Sequence, residues 1–338
     1  MTRVISHSEA STALMCPAKH AFSYTGRLTG GTCLRPKVTA PRLRSGNAYG
    51  AAVAAWHEHG ETEAYRALYD SLEADEKALR KAGAYDESEH LDTVEHLSAV
   101  LAHYIATAPR FNGFHSPERE LRIDVPGMPG YGFLGYIDGL ERDADGRLWI
   151  VEFKLRDSAG NFTPPETLPL LRQPRWYALA AKLTFDIEPV GVILDERESA
   201  YPGPVVLNKP DKEGRQVPRK GQARCSAEDY IEAAKAAGVE PDGETLRKLE
   251  AKSWHRRQDL IFLPGELEEA ALELKALAQI VGAYDLGRVY PVRAAGPLCR
   301  SCEFREICPE PESDVTDMLF KRVPPKRERV NDKRGGVS

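Results

Sequence analysis

The spacing of apolar residues predicts a mostly helical region over residues 46–110. Apolar side chains recur there at intervals of three and four in two groups: Tyr49, Val53 and Trp56, and then Val94, Leu97, Leu101 and Tyr104. Such intervals place side chains on one face of an α-helix. The charged stretch YDSLEADEKALRKAGAYDESEH lies between the two groups and is expected to face solvent.

Between about 118 and 156 the pattern changes to short apolar runs separated by Gly, Pro and Asp. Three strands are predicted, with the sequences ELRIDV, YGFLGYIDGL and RLWIVEFKL. The segment ERDADG between the last two predicts a hairpin turn, because Asp-Gly readily adopts positive φ. A helix over about 168–183 and a buried strand over 189–195 follow. This order indicates an α/β fold whose core is a mixed sheet.

The remaining sequence predicts helices and loops around that core. Residues 1–35 have the pattern of a short helix and a turn, and 196–226 are rich in Pro, Gly and charge, as in a long loop. A helical stretch over about 227–250 precedes an amphipathic helix over about 265–285. The chain then continues into the cysteine-rich segment LCRSCEFREICPEP and a basic tail.

Composition narrows the class of protein. With 42% hydrophobic and 29% charged residues, the 338-residue chain has the balance of a globular protein. No apolar run is long enough for a membrane helix or a secretory signal, so we expect a cytoplasmic protein with no membrane partner. The net charge of −5 excludes non-specific charge neutralisation as the main mode of nucleic-acid binding, but it permits a local basic groove.

The strongest candidate for catalytic chemistry is a pair of carboxylates with one lysine. Glu152 and Lys154 are two residues apart, so a strand places both on one face, and the hairpin brings Asp138 beside Glu152. Two neighbouring carboxylates repel, and a hard divalent cation such as Mg²⁺ or Mn²⁺ relieves that repulsion. The alternative is that Glu152 and Lys154 form only the solvent-facing side of an alternating strand. The glycines at 135 and 139 favour the first interpretation, because they permit close approach of a ligand.

The motifs GYIDGL and VEFKL, followed by Gln173 and Tyr177 on the next helix, resemble the PD-(D/E)XK nuclease superfamily in its RecB-like branch. The resemblance implies a restriction-endonuclease-like sheet core. It also implies that Asp138 and Glu152 bind the catalytic metal and that Lys154 orients the attacking water. The spacing of Gln173 and Tyr177 puts them on one helical face, where they could hold the carboxylates or a DNA strand. The alternative for them is a surface glutamine and a core tyrosine.

Cysteines provide a second, independent signal. Cys299, Cys302 and Cys308 supply three closely spaced thiols, and Cys16 is the candidate fourth ligand, with Cys33 as an alternative. This arrangement resembles the iron–sulfur nucleases of the same branch, which include CRISPR-adaptation-associated exonucleases, AddB-type nuclease domains and bacteriophage relatives. It implies a 4Fe–4S cluster that fastens the two ends of the chain. Tetrahedral zinc or incidental cysteines are the alternatives.

Two further candidate metal ligands are less regular. Members of the family usually carry a helix beginning G-x-x-x-H, but the matching stretch from Gly46 ends in Gly50 instead of histidine. His57 lies two turns further along the same helix face and is the candidate replacement, with a helical histidine of no special role as the alternative. Glu120, on the preceding strand, could also bind the metal.

Several basic residues are candidate DNA contacts. They lie next to the glutamine motif, in the loop over 209–224 and before the amphipathic helix: Arg175, Arg219, Lys220, Arg256 and Arg257. On a chain of net negative charge they would attract phosphates locally. The basic C-terminal tail is expected to be a disordered, solvated end.

These patterns together predict a metal-dependent DNA exonuclease, encoded by a prokaryote or a phage. It would act on single-stranded ends and hydrolyse phosphodiesters with a metal-activated water. No Walker loop is present, so a helicase or recombination partner would supply unwinding, and an oligomer is compatible with the family. Two alternatives are a non-catalytic DNA-end-binding protein of a phage recombination or packaging system and a structure-preferring endonuclease.

The same reasoning divides the chain into five segments. Residues 1–110 form a helical region with the first cluster ligand, and residues 111–200 form the nuclease core. A basic loop and helical insertion covers 201–260, a helix with the cysteine segment covers 261–312, and a basic tail covers 313–338.

Overall fold

The computed structural model describes residues 2–111, 113–115, 120–157, 161–199, 205–212, 215–218 and 225–326. The strands are β1 (Arg3–Ser6), β2 (Cys33–Pro36), β3 (Glu120–Asp124), β4 (Tyr131–Tyr136), β5 (Gly139–Arg142), β6 (Leu148–Arg156), β7 (Gly191–Glu198), β8 (His255–Ile261) and β9 (Phe320–Val323). The α-helices are α1 (His7–Met15), α2 (Pro17–His20), α3 (Pro41–His59), α4 (Glu61–Ala82), α5 (Glu87–Thr107), α6 (Arg172–Phe185), α7 (Ala227–Ala236), α8 (Gly243–Glu250), α9 (Glu266–Asp285) and α10 (Asp314–Leu319).

The strands form three sheets, so the fold is α/β with mixed strand directions. A four-stranded sheet has the order β5-β6-β7-β8, in which only the β6–β7 pair is parallel. A three-stranded sheet has the order β1-β4-β3, and β2 pairs with β9. The turn between β5 and β6 contains Gly146 at φ 80°, as the Asp-Gly pair predicts.

Strand β6 lies between two apolar cores, because its side chains alternate between the two faces of the sheet. Ile150 packs in one core with α1, α6 and α9 and with the three-stranded sheet. Trp149, Val151 and Phe153 pack in the other core with α3, α4 and α5. The even-numbered residues of β6 therefore face α6, and the odd-numbered residues face the helical region.

The predicted helical region forms three helices, and the charged stretch between the two apolar groups continues one of them, α4. It is a helix because an apolar stripe that includes Leu68 and Leu72 is buried, while its charged residues face outward as expected. The chain leaves α4 at Gly83, whose φ of 68° ends the helix. Asp86 then caps α5 by accepting the Glu89 N–H at 2.9 Å.

Residues from the two ends of the described chain meet beside α1. Arg3 donates to Asp285 on α9 at 2.8 Å and also binds the buried carboxylate of Glu9. Lys326 donates to the same Glu9 carboxylate at 2.6 Å. This buried ion cluster and the pairing of β2 with β9 tie the N-terminal segment to α9 and to the last described residues.

Strand β8 extends the sheet beyond the predicted core over 111–200. Its charged sequence, HRRQDLI, does not show the apolar alternation of a strand, yet it pairs antiparallel with β7. The reason is that β7 carries buried acidic side chains that bind the β8 arginines, as set out below. Among the described residues, no helix is both long and apolar enough to cross a membrane.

Candidate active site

Asp138 lies in the link between β4 and β5 and is fixed to β6 by one hydrogen bond. The Phe153 N–H donates to Asp138 Oδ2 at 2.8 Å. This contact exists because β5 and β6 form the hairpin that the sequence predicts, with Gly139 opposite Val151. The predicted approach of Asp138 to the segment containing Glu152 is therefore present in the structure.

Glu152 and Lys154 lie on the face of β6 that is directed toward α6. The Lys154 ammonium and the Gln173 side-chain amide both donate to Glu152 Oε1, the latter at 2.8 Å. Glu152 is only 4% exposed, whereas the Lys154 side chain is 32% exposed. The lysine thus reaches from a buried carboxylate toward solvent, where a substrate can meet it.

The charges in this site act on one another strongly. Burial and the negative charge of Glu152 raise the pKa of Asp138 to about 7, although Lys154 and the Phe153 N–H act in the opposite direction. Burial lowers the pKa of Lys154, but the charges of Glu152 and Asp138 outweigh it, so the net shift is upward. Two buried carboxylates with this mutual repulsion fit a hard divalent cation, which would take oxygen ligands from both.

Gln173 and Tyr177 lie one turn apart on α6, and Gln173 supports Glu152. Gln173 donates to Glu152 Oε1 at 2.8 Å, and its side-chain amide acts to lower the pKa of the Tyr177 hydroxyl. Burial, together with the charge of Glu152, raises the pKa of Tyr177 to about 12, so its hydroxyl stays protonated at neutral pH. The predicted sharing of one helical face is present. Gln173 holds the Glu152 carboxylate, whereas Tyr177 is buried in the apolar core, as the alternative interpretation has it.

The two glycines that flank Asp138 make room for protein side chains. A Cβ at Gly135 would lie 2.7 Å from Tyr177 Cε1, and a Cβ at Gly139 would lie 2.1 Å from Phe114 Cε2. The sequence-based interpretation, that these glycines admit a ligand, is corrected: aromatic rings of the protein occupy the space. Gly135 acts on the site indirectly, because it lets Tyr177 pack against β4.

His57 lies on the opposite face of β6 from Glu152. Its ring stacks on Phe153 with centroids 5.6 Å apart. The Phe111 N–H donates to Nδ1 at 3.1 Å, so Nε2 carries the hydrogen and donates to the Tyr104 hydroxyl at 3.0 Å. Burial lowers the pKa of His57 to about 3. The structure does not bring His57 to the carboxylates, because both ring nitrogens are engaged within the helical core.

Glu120 begins β3 on the exposed face of the three-stranded sheet. It accepts a hydrogen bond from the Tyr136 hydroxyl at 3.3 Å, and the Arg122 guanidinium lies 3.7 Å from it. The Cα partner of Glu120 is Tyr136, two residues before Asp138. Glu120 is thus near the site along the chain, but its carboxylate binds Tyr136 and Arg122 rather than joining the Asp138–Glu152 pair.

Arg256 and Arg257 are used inside the fold. Arg257 donates to the buried Asp195 at 2.8 Å. Arg256 lies 3.5 Å from the buried Glu196 and donates to the Thr163 carbonyl oxygen. The prediction that these arginines contact DNA is not supported by their placement, because their charges are matched by acids of β7.

Of the other three basic candidates, Arg175 forms ion pairs within the fold, and two lie outside the described residues. Arg175 is 8% exposed and lies 3.4 Å from Glu269 and 3.2 Å from Glu273, both on α9. It therefore holds α6 against α9 and is not positioned to bind phosphate. Arg219 and Lys220 lie outside the described residues.

Three of the four predicted cluster ligands pack against one small apolar core. Cys16, Cys302 and Cys308 all contact it, and the charge of Cys16 acts on the Cys302 thiol, whose pKa burial raises. Cys299 is exposed, with Sγ 3.9 Å from the Ala294 carbonyl oxygen. In the described ranges, no three Cys, His, Asp or Glu side chains are gathered into a metal-binding group. The thiols of Cys16, Cys302 and Cys308 therefore lie at the same small core, but they are not gathered as closely as the ligands of a bound metal.

The two other cysteines lie apart from this arrangement. Cys33 is fully buried on β2, opposite Val323 of β9. Cys225 is buried in a separate apolar cluster with Tyr230 of α7 and Leu249 of α8. Cys16 is therefore better placed than Cys33 to join Cys302 and Cys308.

The sequence reasoning did not identify His7, whose ring is close enough to Lys154 to be affected by its charge. Burial, followed by the positive charges of Lys154 and Arg172, lowers the pKa of His7 to about 4. Its ring contacts Trp176 and Tyr177 on α6. The sequence shows only a histidine at the start of a capped helix. This position indicates a site residue only once the preceding residues are known to pair with β4.

Two solved structures are similar over most of their length. One is SSO0001, at 13% identity, covering 91% of this chain and 87% of that one with a TM-score of 0.34. The other is a Eubacterium rectale protein provisionally described as an exonuclease, at 9% identity, covering 87% of this chain and 90% of that one with a TM-score of 0.39.

No curated protein matches the chain. The family comparison is decisive, because the profile of a nuclease superfamily matches residues 4–309, which include all of the site residues described above. The chain belongs to the PD-(D/E)XK nuclease superfamily.

Proposed function

We propose that this protein is a divalent-metal-dependent DNA exonuclease that acts on single-stranded ends. The observation that carries the proposal is the buried pair of Asp138 and Glu152, with the Lys154 ammonium on the Glu152 carboxylate. Membership of a nuclease superfamily supports the same reaction class.

In this proposal Asp138 and Glu152 hold Mg²⁺ or Mn²⁺. When bound, such a cation lowers the pKa of water and stabilises negative charge on the phosphate. Lys154 is exposed enough to turn from Glu152 toward the attacking water or the phosphate, where it stabilises developing charge. Gln173 donates to the same Glu152 oxygen, so that carboxylate keeps its orientation when the lysine moves away.

The proposed test compares linear and circular single-stranded DNA. Wild-type protein, purified without oxygen, is incubated with 5′-labelled linear DNA or internally labelled circular DNA in Mn²⁺ or in EDTA, beside Lys154→Ala and the control Lys182→Ala. Lys182 lies on the same helix as Gln173 but forms a surface pair with Glu188. We expect metal-dependent loss of linear DNA by wild type and Lys182→Ala, and none by folded Lys154→Ala.

The remaining outcomes would change the proposed function or its mechanism. Cleavage of circular DNA would indicate an endonuclease, since a circle has no end. Binding to DNA ends by the folded wild type without cleavage would indicate an end-binding protein. Cleavage by Lys154→Ala at the wild-type rate would contradict the proposed mechanism. If duplex DNA is resistant while single strands are degraded, a helicase or recombination partner has to supply the unwinding.

We also infer that Cys16, Cys299, Cys302 and Cys308 hold a 4Fe–4S cluster. Support comes from the shared apolar core of three of these thiols and from the affinity of thiolates for such clusters. Binding would draw the exposed Cys299 inward. Iron and sulfide analysis tests the inference, and zinc in place of iron would contradict it.

A further inference from the structure

His7 is held beside the catalytic strand by main-chain pairing that is remote in sequence. It is the first residue of α1, directly after β1, which runs parallel to β4 with Ser6 opposite Leu134. The chain of β4 then continues to Asp138. Strand β1 therefore delivers His7 to the level of Gly135, where the ring of Tyr177 also packs.

Contacts with α6 fix the imidazole ring on one side. It packs edge-on against Trp176 with centroids 5.4 Å apart and against Tyr177 at 6.4 Å. Both partners are buried, so they restrict the position of the imidazole ring. Within the described part of the chain, the hydrogen bond of the His7 side chain is to Ser11 Oγ, at 3.3 Å from Nε2. One ring nitrogen, Nε2, thus hydrogen-bonds within α1. The ring is half-buried, and its other nitrogen, Nδ1, can bind another partner.

The electrostatic surroundings of His7 favour an anion. The charges of Lys154 and Arg172 both act on the ring, and with burial they keep it neutral at physiological pH. Arg172 is the first residue of α6, and its side chain is 54% exposed. A neutral imidazole can donate a hydrogen bond to an anion, and the two cations attract that anion to the same place.

We propose that His7 contacts a phosphate of the DNA strand in the active site, by donating a hydrogen bond to a non-bridging oxygen beside Lys154 and Arg172. The inference rests on the proposed function, since it assigns a further substrate contact to the same site. A phosphodiester is the anion that fits, because it is the group on which Lys154 is proposed to act. His7 is thus a substrate-positioning residue that neither the carboxylate–lysine motif nor the Gln173–Tyr177 pair includes.

The test combines a matched pair of histidine variants with single neutral phosphates. His7→Phe keeps an aromatic edge against Trp176 and removes the donor, while His59→Phe changes an exposed histidine at the end of α3. We expect His7→Phe to lower kcat/KM on linear single-stranded DNA by about 10- to 100-fold, the range for a hydrogen bond to a charged group. His59→Phe and the thermal unfolding midpoint of His7→Phe should stay at wild-type values.

A scan of single methylphosphonates near the DNA end identifies the contact. In wild type, one position should reduce cleavage strongly, and in His7→Phe the same position should cause little further loss, because the partner is already absent. Wild-type cleavage by His7→Phe would overturn the inference. So would slow cleavage with the methylphosphonate penalties unchanged, since that result assigns His7 a packing role. If wild type neither cleaves nor binds DNA in Ca²⁺, the proposed function itself fails, and the inference fails with it.

Discussion

Replacement of Gly135 by alanine tests the link between packing and chemistry. The added methyl would lie 2.7 Å from Tyr177 Cε1 and 3.0 Å from Cδ1, whereas ordinary contacts begin at 3.4 Å. The ring must therefore move by about 0.7 Å, the difference between 3.4 and 2.7 Å. Tyr177 is 8% exposed and lies beside residues of α6 that are completely buried, so it has little space into which to move.

The expected energy follows from two opposing effects. Overpacking of a core costs about 1–3 kcal/mol. Loss of glycine's freedom in the unfolded chain returns about 0.4–1 kcal/mol. The free energy of unfolding should therefore fall by about 1–2 kcal/mol. Since Tyr177 contacts Gln173 and Gln173 holds Glu152, displacement of the ring should also slow single-turnover cleavage, by about 10-fold or more.

Urea unfolding and single-turnover cleavage measure the two effects on the same preparations. Gly50→Ala is the matched control, because no atom lies within 4 Å of its added methyl. The double variant Gly135→Ala/Tyr177→Leu removes the clashing ring, so the two substitutions should be non-additive in stability. A Gly135→Ala protein with wild-type stability and wild-type cleavage would refute the packing argument.

Three other predictions follow from the fold. Gly50→Ala should raise the free energy of unfolding by up to about 1 kcal/mol, because alanine favours the helix interior, and an unchanged urea midpoint would contradict this. The pKa of His57 is about 3 in the folded protein, and that of Asp195 is lowered by His255 and Arg257 against the effect of burial. Both groups bind protons more readily when unfolded, so His57 should lower stability as pH drops below about 6.5, by up to about 1.4 kcal/mol per unit, and Asp195 should do so only below about pH 4, while the raised pKa of Asp138 acts in the opposite direction. A urea midpoint that falls no more steeply between neutral pH and about pH 5 in wild type than in His57→Phe would exclude the His57 effect. Cys299→Ser should lose iron and visible absorption, while Cys225→Ser should keep both; retained iron in Cys299→Ser would remove it from the ligand set.

The central part of the site could be predicted because its geometry follows from local periodicity. Glu152 and Lys154 share a face because strand side chains alternate, and Gln173 and Tyr177 share a face because they are one helical turn apart. A short hairpin brings Asp138 to β6. Each of these relations spans fewer than about 20 residues, or depends on one turn whose Asp-Gly sequence is distinctive.

Other features depended on partners that are distant in sequence. Strand β8 has a polar pattern, because Arg256 and Arg257 pair with buried acids of β7, and the sequence alone indicated exposed DNA contacts. His57 has the spacing of a possible ligand, but its ring stacks on the far side of β6. His7 becomes meaningful only through the pairing of β1 with β4, strands separated by more than 100 residues.

The ion cluster around Glu9 also sets the order in which the protein can fold. Arg3 and Glu9 bind each other, but the complete buried cluster also needs Asp285 and Lys326, so the core around α1 cannot be completed early in synthesis. The helices over 41–107, by contrast, contact one another within a short stretch of chain. Folding should therefore begin in the helical region, and a nascent chain that lacks α9 would expose the unfinished core. We therefore expect the nascent chain to need protection by chaperones until α9 has been synthesised.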